Sequence, residues 1–114
     1  MRGTMIVIHP SDKDALDVHQ FGRAITLDEL KAGIGGGYLE LVPGFTTIGV
    51  AGVVMDCVAF CDEDGKRKEL PLNQAATQFW QVALERKGVR LALPDQLVGN
   101  IAVVFGDREF MDSL

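Results

Sequence analysis

Between Asn73 and Gly88 the chain reads NQAATQFWQVALERKG, and no other stretch limits its fold so tightly. Ala75, Ala76, Phe79, Val82 and Ala83 follow the apolar stripe of one helix face, three, four, seven or eight residues apart across its turns. Asn73 is placed to cap the first turn and Gly88 to end the last in a left-handed conformation. The spacing therefore predicts a long amphipathic helix over about Gln74–Lys87. Trp80 and Leu84 flank the stripe and widen it, so the helix needs a broad apolar partner, either a sheet or a second subunit.

A second, shorter helix is signalled by Thr26 and Glu29, which stand at capping-box spacing ahead of Leu27–Ala32. Gly33 is expected to end it, and Gly35-Gly36-Gly37 follow at once. The glycines do not read as a phosphate cradle. In a phosphate loop a strand leads in and a helix leads out, so that the anion meets the positive end of the helix dipole. Here the order is reversed, no Gly-Lys-Ser/Thr is present, and Tyr38 stands where a G-x-G-x-x-G frame begun at Gly33 requires glycine.

The remaining apolar segments read as strands. Met5–Pro10 is a β-branched run stopped by proline, whereas Ser11–Gln20 is polar and loop-like. Tyr38–Val42 alternates, with Tyr38, Glu40 and Val42 on one face. A bend near Gly49–Gly52 is expected to feed a strand at Val53–Cys61, and Asp64-Gly65 a hairpin turn returning through Arg67–Leu70. Val89–Gly99 reads as an extended stretch broken by Pro94, Asn100–Gly106 as the last strand and Asp107–Leu114 as a polar tail. The sum is a single α+β domain over residues 1–114: a mainly antiparallel sheet with the long helix and the short helix (about Leu27–Ala32) packed on one face.

Charge and chemistry narrow the function. The 114 residues carry a net charge of -5 with the bases scattered apart from Lys66-Arg67-Lys68, so no basic stripe exists for a nucleic-acid backbone. The longest apolar run, Ile48–Met55, is far short of the roughly 20 residues of a membrane span. The N-terminal stretch lacks the features of a secretory leader, so a cytoplasmic location is expected. Cys57 and Cys61, four residues apart on one strand, would lie roughly 13 Å from each other, beyond disulfide reach. They are expected to be core thiols, since His9 and His19 offer no zinc-like spacing to them. Ser11 and Ser113 sit in no nucleophile-elbow pattern, and both histidines read as surface residues. Asp62, Glu63 and Asp64 read as hydrated turn acids rather than an acid-base pair. No catalytic set, metal site or cofactor is expected.

Three fragments, GGYLELV, FCDEDGKRKELPLNQAAT and LVGNIAVVF, occur in an order that resembles the family catalogued as domain of unknown function 3846. The resemblance spans roughly Met5 to Gly106, and its most specific part is Leu70-Pro71-Leu72-Asn73 with Ala76-Thr77. Pro43–Gly52 and the stretch from Arg86 to Gln96 are longer than that pattern. The resemblance implies a small bacteriophage or mobile-element accessory protein acting in the host cytoplasm, and it supplies no catalytic residue. The expected activity is therefore non-enzymatic: countering host defence by sequestering a nucleotide-like small molecule, with a homo-oligomer expected and neither nucleic acid nor membrane as partner. The ligand site is expected at Gly35, Gly36, Gly37 and Tyr38, where glycine backbone lets a ligand approach and Tyr38 can stack on a base, together with Asn73 and Thr77. The same residues admit a plain alternative, with Tyr38 in the core and the glycines a turn. A competing function is inhibition of a host or phage protein, docked through a sheet edge or an acidic face.

Overall fold

The computed structural model describes residues 1–10, 16–91 and 95–114. In chain order the elements are β1 (Gly3–Ile8), β2 (Leu16–Phe21), α1 (Leu27–Gly33), β3 (Leu39–Leu41), β4 (Thr47–Val50), β5 (Val53–Asp56), β6 (Val58–Asp62), α2 (Gln74–Arg86), β7 (Ile101–Gly106) and α3 (Arg108–Asp112). Five strands form one antiparallel sheet in the order β2-β1-β7-β6-β3, and β4 and β5 form a separate hairpin. The α+β class with a mainly antiparallel sheet, one long helix and one short helix is thus present.

The sheet is covered on both faces, not one. Ile101, Ala102, Val103 and Val104 of β7 are all fully buried, and an unbroken apolar strand has to be enclosed from two sides. Ile6, Ile8, Ala59, Ile101 and Val103 pack with Trp80, Ala83 and Leu84 of α2. Met5, Val7, Ala102 and Val104 pack with Leu30 and Ile34 at α1 and with Phe110 of α3. The expected one-faced cover fails because β1 and β7 send apolar side chains to both sides.

Local signals fixed both predicted helices. Thr26 Oγ1 accepts from the Glu29 N–H at 3.1 Å and Glu29 Oε1 accepts from the Thr26 N–H at 3.0 Å, closing the capping box. Gly33 stays helical. Positive φ begins at Gly35 (φ 85°) and continues through Gly36 and Gly37, and the Gly35 and Gly36 N–H groups donate back to Ala32 O and Lys31 O in a Schellman closure. On α2 the buried face is Ala76, Thr77, Trp80, Ala83 and Leu84. It is turned relative to the predicted stripe, and Val82 is 44% exposed. Trp80 and Leu84 lie at its centre, with Trp80 Nε1 donating to Pro43 O at 2.8 Å, so they fill this chain's own core.

Several other expectations are corrected. Leu16–Gln20, read as loop, belongs to strand β2, while Ser11–Ala15 and the chain break expected at Pro94 lie outside the described residues. The expected strand Val53–Cys61 is two strands. Ala51 and Gly52, both at positive φ, make a tight hairpin turn between β4 and β5, and the chain re-aims at Cys57, whose N–H donates to Thr46 O. Arg67–Leu70 forms no return strand. Lys68, Glu69 and Leu70 N–H donate to Asp64, Lys66 and Gly65 carbonyls, which closes a compact turn. The polar tail is helix α3, capped by Asp107 and anchored by the fully buried Phe110. Cys57, just before β6, and Cys61 within it are both free and belong to the α2-side core, and burial pushes their thiols up to about 12 and about 11. Among the described residues no helix is long and apolar enough to cross a membrane.

The turn after β6 is tied to Asp62, whose side chain is 4% exposed. Burial alone would raise its carboxyl. Hydrogen bonds from Lys68 Nζ at 2.6 Å and the Asp64 N–H at 2.9 Å, with the charges of Lys68 and Arg67, outweigh it and hold the group below the usual carboxylate range. A depressed carboxyl stabilises the fold above the unfolded-state value, and that contribution fades as pH falls through the folded value. Lys68→Met is expected to lower stability at neutral pH and shift the acid-unfolding midpoint upward, read by circular dichroism across an acid titration. An unchanged midpoint would show that Lys68 does not hold the carboxylate.

Candidate functional site: a cleft between α1 and β2

The residues singled out in sequence do not converge. Gly35 and Gly36 direct their N–H groups into the end of α1, which removes them as donors to a ligand. A Cβ on Gly37 would sit 2.7 to 2.9 Å from the Asp62 carboxylate, so this glycine makes room for Asp62. Tyr38 is 68% exposed and precedes β3. Asn73 caps α2 and Thr77 lies on its buried face, both with their polar atoms engaged. Asn73 Nδ2 donates to Ile8 O and Gly99 O, both at 2.8 Å, and Asn73 Oδ1 accepts from Ala76 N at 3.0 Å. Thr77 Oγ1 donates to Asn73 O at 2.7 Å and accepts from Leu97 N at 2.9 Å.

A different group of residues does converge, on the opposite face of the sheet. Because β1 and β2 pair Met5 with His19, Val7 with Asp17 and Gly3 with Phe21, these three β2 residues share the face on which Met5 and Val7 meet α1. The space between β2 and α1 is a cavity of about 750 Å³. Met5, Val7 and Ala32 give it an apolar floor, and His9, Asp17, His19 and Asn100 give it polar groups.

At one end His9 stands between two partners. Its Nε2 lies 2.6 Å from Asp17 Oδ2 and its Nδ1 3.2 Å from the Asn100 side-chain amide. The Asn73 clamp acts here from behind the sheet, since Ile8 and Gly99, whose carbonyls it holds, directly precede His9 and Asn100. At the other end Arg23 donates to Glu29 through two nitrogens at 2.7 and 3.0 Å, and its guanidinium lies 5.4 Å from the centre of the Phe21 ring. Hydrogen bonds from Arg23 and from the Thr26 N–H hold the Glu29 carboxyl down to about 2, so the pair stays ionised through the working range of pH. Arg23 is thereby occupied, and His19 is the basic lining side chain left without such a partner among the described residues.

This arrangement suits binding. An apolar floor with an aromatic neighbour and a few fixed polar groups is the composition of a small-molecule site, and the volume falls in the usual range of roughly 300–1,000 Å³. Among the described residues the lining has no serine, threonine or cysteine to act as nucleophile, and no three His, Cys, Asp or Glu side chains are grouped to hold a metal ion. Sequence reasoning placed His9 and His19 at the surface and left Asp17 and Phe21 unassigned. No apolar alternation in Asp17-Val18-His19-Gln20-Phe21 marks the strand, and only the register with β1 shows that Asp17, His19 and Phe21 share the cleft face.

Comparison with family models, with curated proteins and with solved structures returned no match.

Proposed function

We propose that this chain is a small phage-type accessory protein that binds and sequesters a nucleotide-like molecule, without turning it over, in the cleft between α1 and β2. The accessory setting rests on the motif resemblance to the domain of unknown function 3846 family. The ligand class rests on one observation: a cavity of about 750 Å³ that combines an apolar floor with the His9–Asp17–Asn100 hydrogen-bonding cluster. A flat base covers Met5 and Val7, and the sugar hydroxyls exchange hydrogen bonds with the cluster. Asp17 and the net charge of -5 disfavour a polyphosphate inside the cleft, so phosphates point outward past His19.

Thermal shift with cyclic dinucleotides, ADP-ribose derivatives and plain nucleosides tests this reading. A ligand at a hundredfold excess over its Kd stabilises the native state by about 2.7 kcal/mol. That corresponds to a Tm rise on the order of 10 °C for a chain of this size. The rise is expected to shrink strongly in His19→Ala, whose side chain is exposed, and the ligand is recovered unchanged after incubation. The absence of a shift with every compound overturns the proposal, and recovery of a cleaved ligand overturns its non-enzymatic part.

A further inference from the structure

We infer that two copies of this chain pair edge to edge through β2, antiparallel and about a twofold axis at Val18, joining their five-stranded sheets into one continuous sheet. The proposal stands whether or not the cleft takes a ligand. It begins from the two edges of the sheet. β3 is an edge of only three residues, which limits pairing. β2 is six residues long, and among the described residues no strand pairs with its outer side.

Long edges are ordinarily protected by lysine, proline, a bulge or a covering element. Leu16-Asp17-Val18-His19-Gln20-Phe21 contains no lysine, proline or glycine, and its register with β1 runs unbroken from Leu16↔Ile8 to Phe21↔Gly3. Leu16 and Val18, on the side away from the cleft, are 48% and 57% exposed. This edge is therefore regular, without a bulge, and partly apolar.

Geometry then restricts the register. Residues directly opposed in an antiparallel pair share a face and a hydrogen-bonding phase, so a twofold axis relating two copies of one strand has to pass through a residue. Only axes at Val18 or His19 leave five residues of β2 paired. An axis at His19 opposes the two imidazoles and sets each Asp17 against a Phe21 ring. An axis at Val18 opposes the two valines, sets Leu16 against Gln20, and places each Asp17 carboxylate opposite the partner's His19 on the cleft side. Opposed acid and imidazole groups attract where the alternative register offers no complement, and the charge on this edge thus favours Val18. The same pairing brings the partner's His19 to the Asp17 rim of the cleft, so each site gains a basic group from the other copy.

Sedimentation velocity of the whole chain over a concentration series reads the result. The wild type is expected to approach twice the 12.4-kDa chain mass. Val18→Lys is expected to stay monomeric with an unchanged circular dichroism spectrum, because Val18 is exposed. Asp17→His and His19→Asp each place like groups opposite one another, and each alone is expected to self-associate about tenfold more weakly or worse. Mixed together they restore both acid–imidazole pairs, and the mixture is expected to form a heterodimer. A wild type that stays monomeric at millimolar concentration overturns the proposal, as does a dimer that persists in Val18→Lys. Failure of the mixture to dimerise overturns the Val18 register.

Discussion

Asn73→Ala is expected to destabilise the fold by about 3–5 kcal/mol, read as a fall in the urea midpoint at an unchanged m-value. Most domains are stable by only about 5–15 kcal/mol, so this variant should be close to unfolding. The size follows from what one fully buried side chain does. Its Oδ1 caps α2 through the Ala76 N–H, and losing a cap costs about 1 kcal/mol. Its Nδ2 satisfies Ile8 O and Gly99 O, and each carbonyl left unpaired inside the protein costs about 1–3 kcal/mol more. Asn73→Asp separates the two roles. Aspartate caps a helix as well as asparagine does, so a residue that only capped would tolerate it. Here a carboxylate oxygen would replace the amide donor 2.8 Å from two carbonyl oxygens, and the loss is expected to equal or exceed that of alanine. A nearly neutral Asn73→Asp would mean that the clamp on the ends of β1 and β7 contributes little.

Asn73 also shows where a sequence stops being legible. Its capping role was readable because the cap and the Ala76 N–H that donates to it lie within a few residues, as do Thr26 and Glu29 at the start of α1. Its hold on Ile8 was not, because those residues are 65 positions apart. The glycine run was read correctly as a helix stop, but positive φ begins at Gly35 and not at Gly33, since small residues do not by themselves say which one reverses. Strand β2 was lost for a related reason. It is exposed along nearly its whole length, so no apolar alternation marks it, and its conformation is set by pairing with β1. The cover on both faces of the sheet was present in the unbroken run Ile101–Phe105, which an antiparallel strand with one wet face does not show.

The candidate cleft was the least legible part. His9 and Asn100 meet across 91 positions because β1 and β7 are neighbours in the sheet, and Asp17 reaches His9 only through the β1–β2 register. Each of these residues alone reads as a surface polar group. The structure supplies the adjacency that turns them into one hydrogen-bonded cluster beside α1.

Gly3→Ala is expected to cost about 3 kcal/mol in the wild-type background and almost nothing once Phe110 is gone. Gly3 and Gly106 face each other across β1 and β7, and the buried Phe110 ring of α3 lies against both. A Cβ on Gly3 would overlap three atoms of that ring. Phe110→Ala alone leaves a cavity and is expected to cost about 3–5 kcal/mol. The double variant Gly3→Ala/Phe110→Ala should then cost no more than Phe110→Ala alone to within about 0.5 kcal/mol, because the added methyl enters space the ring has left. Gly106→Ala tests the same arrangement with the opposite outcome. Its Cβ would lie 2.5 Å from Arg2 O and 2.7 Å from Gly3 Cα as well as 2.7 Å from Phe110 Cδ1. Removing the ring relieves only one of those contacts, and the β1 backbone cannot withdraw without breaking its ladder to β7. Urea denaturation of the two double variants should therefore show coupling of about 2–3 kcal/mol at Gly3 and much less at Gly106. Equal rescue at both positions would contradict the backbone's share in the Gly106 clash, whereas additivity at Gly3 would place the Phe110 ring somewhere other than against β1.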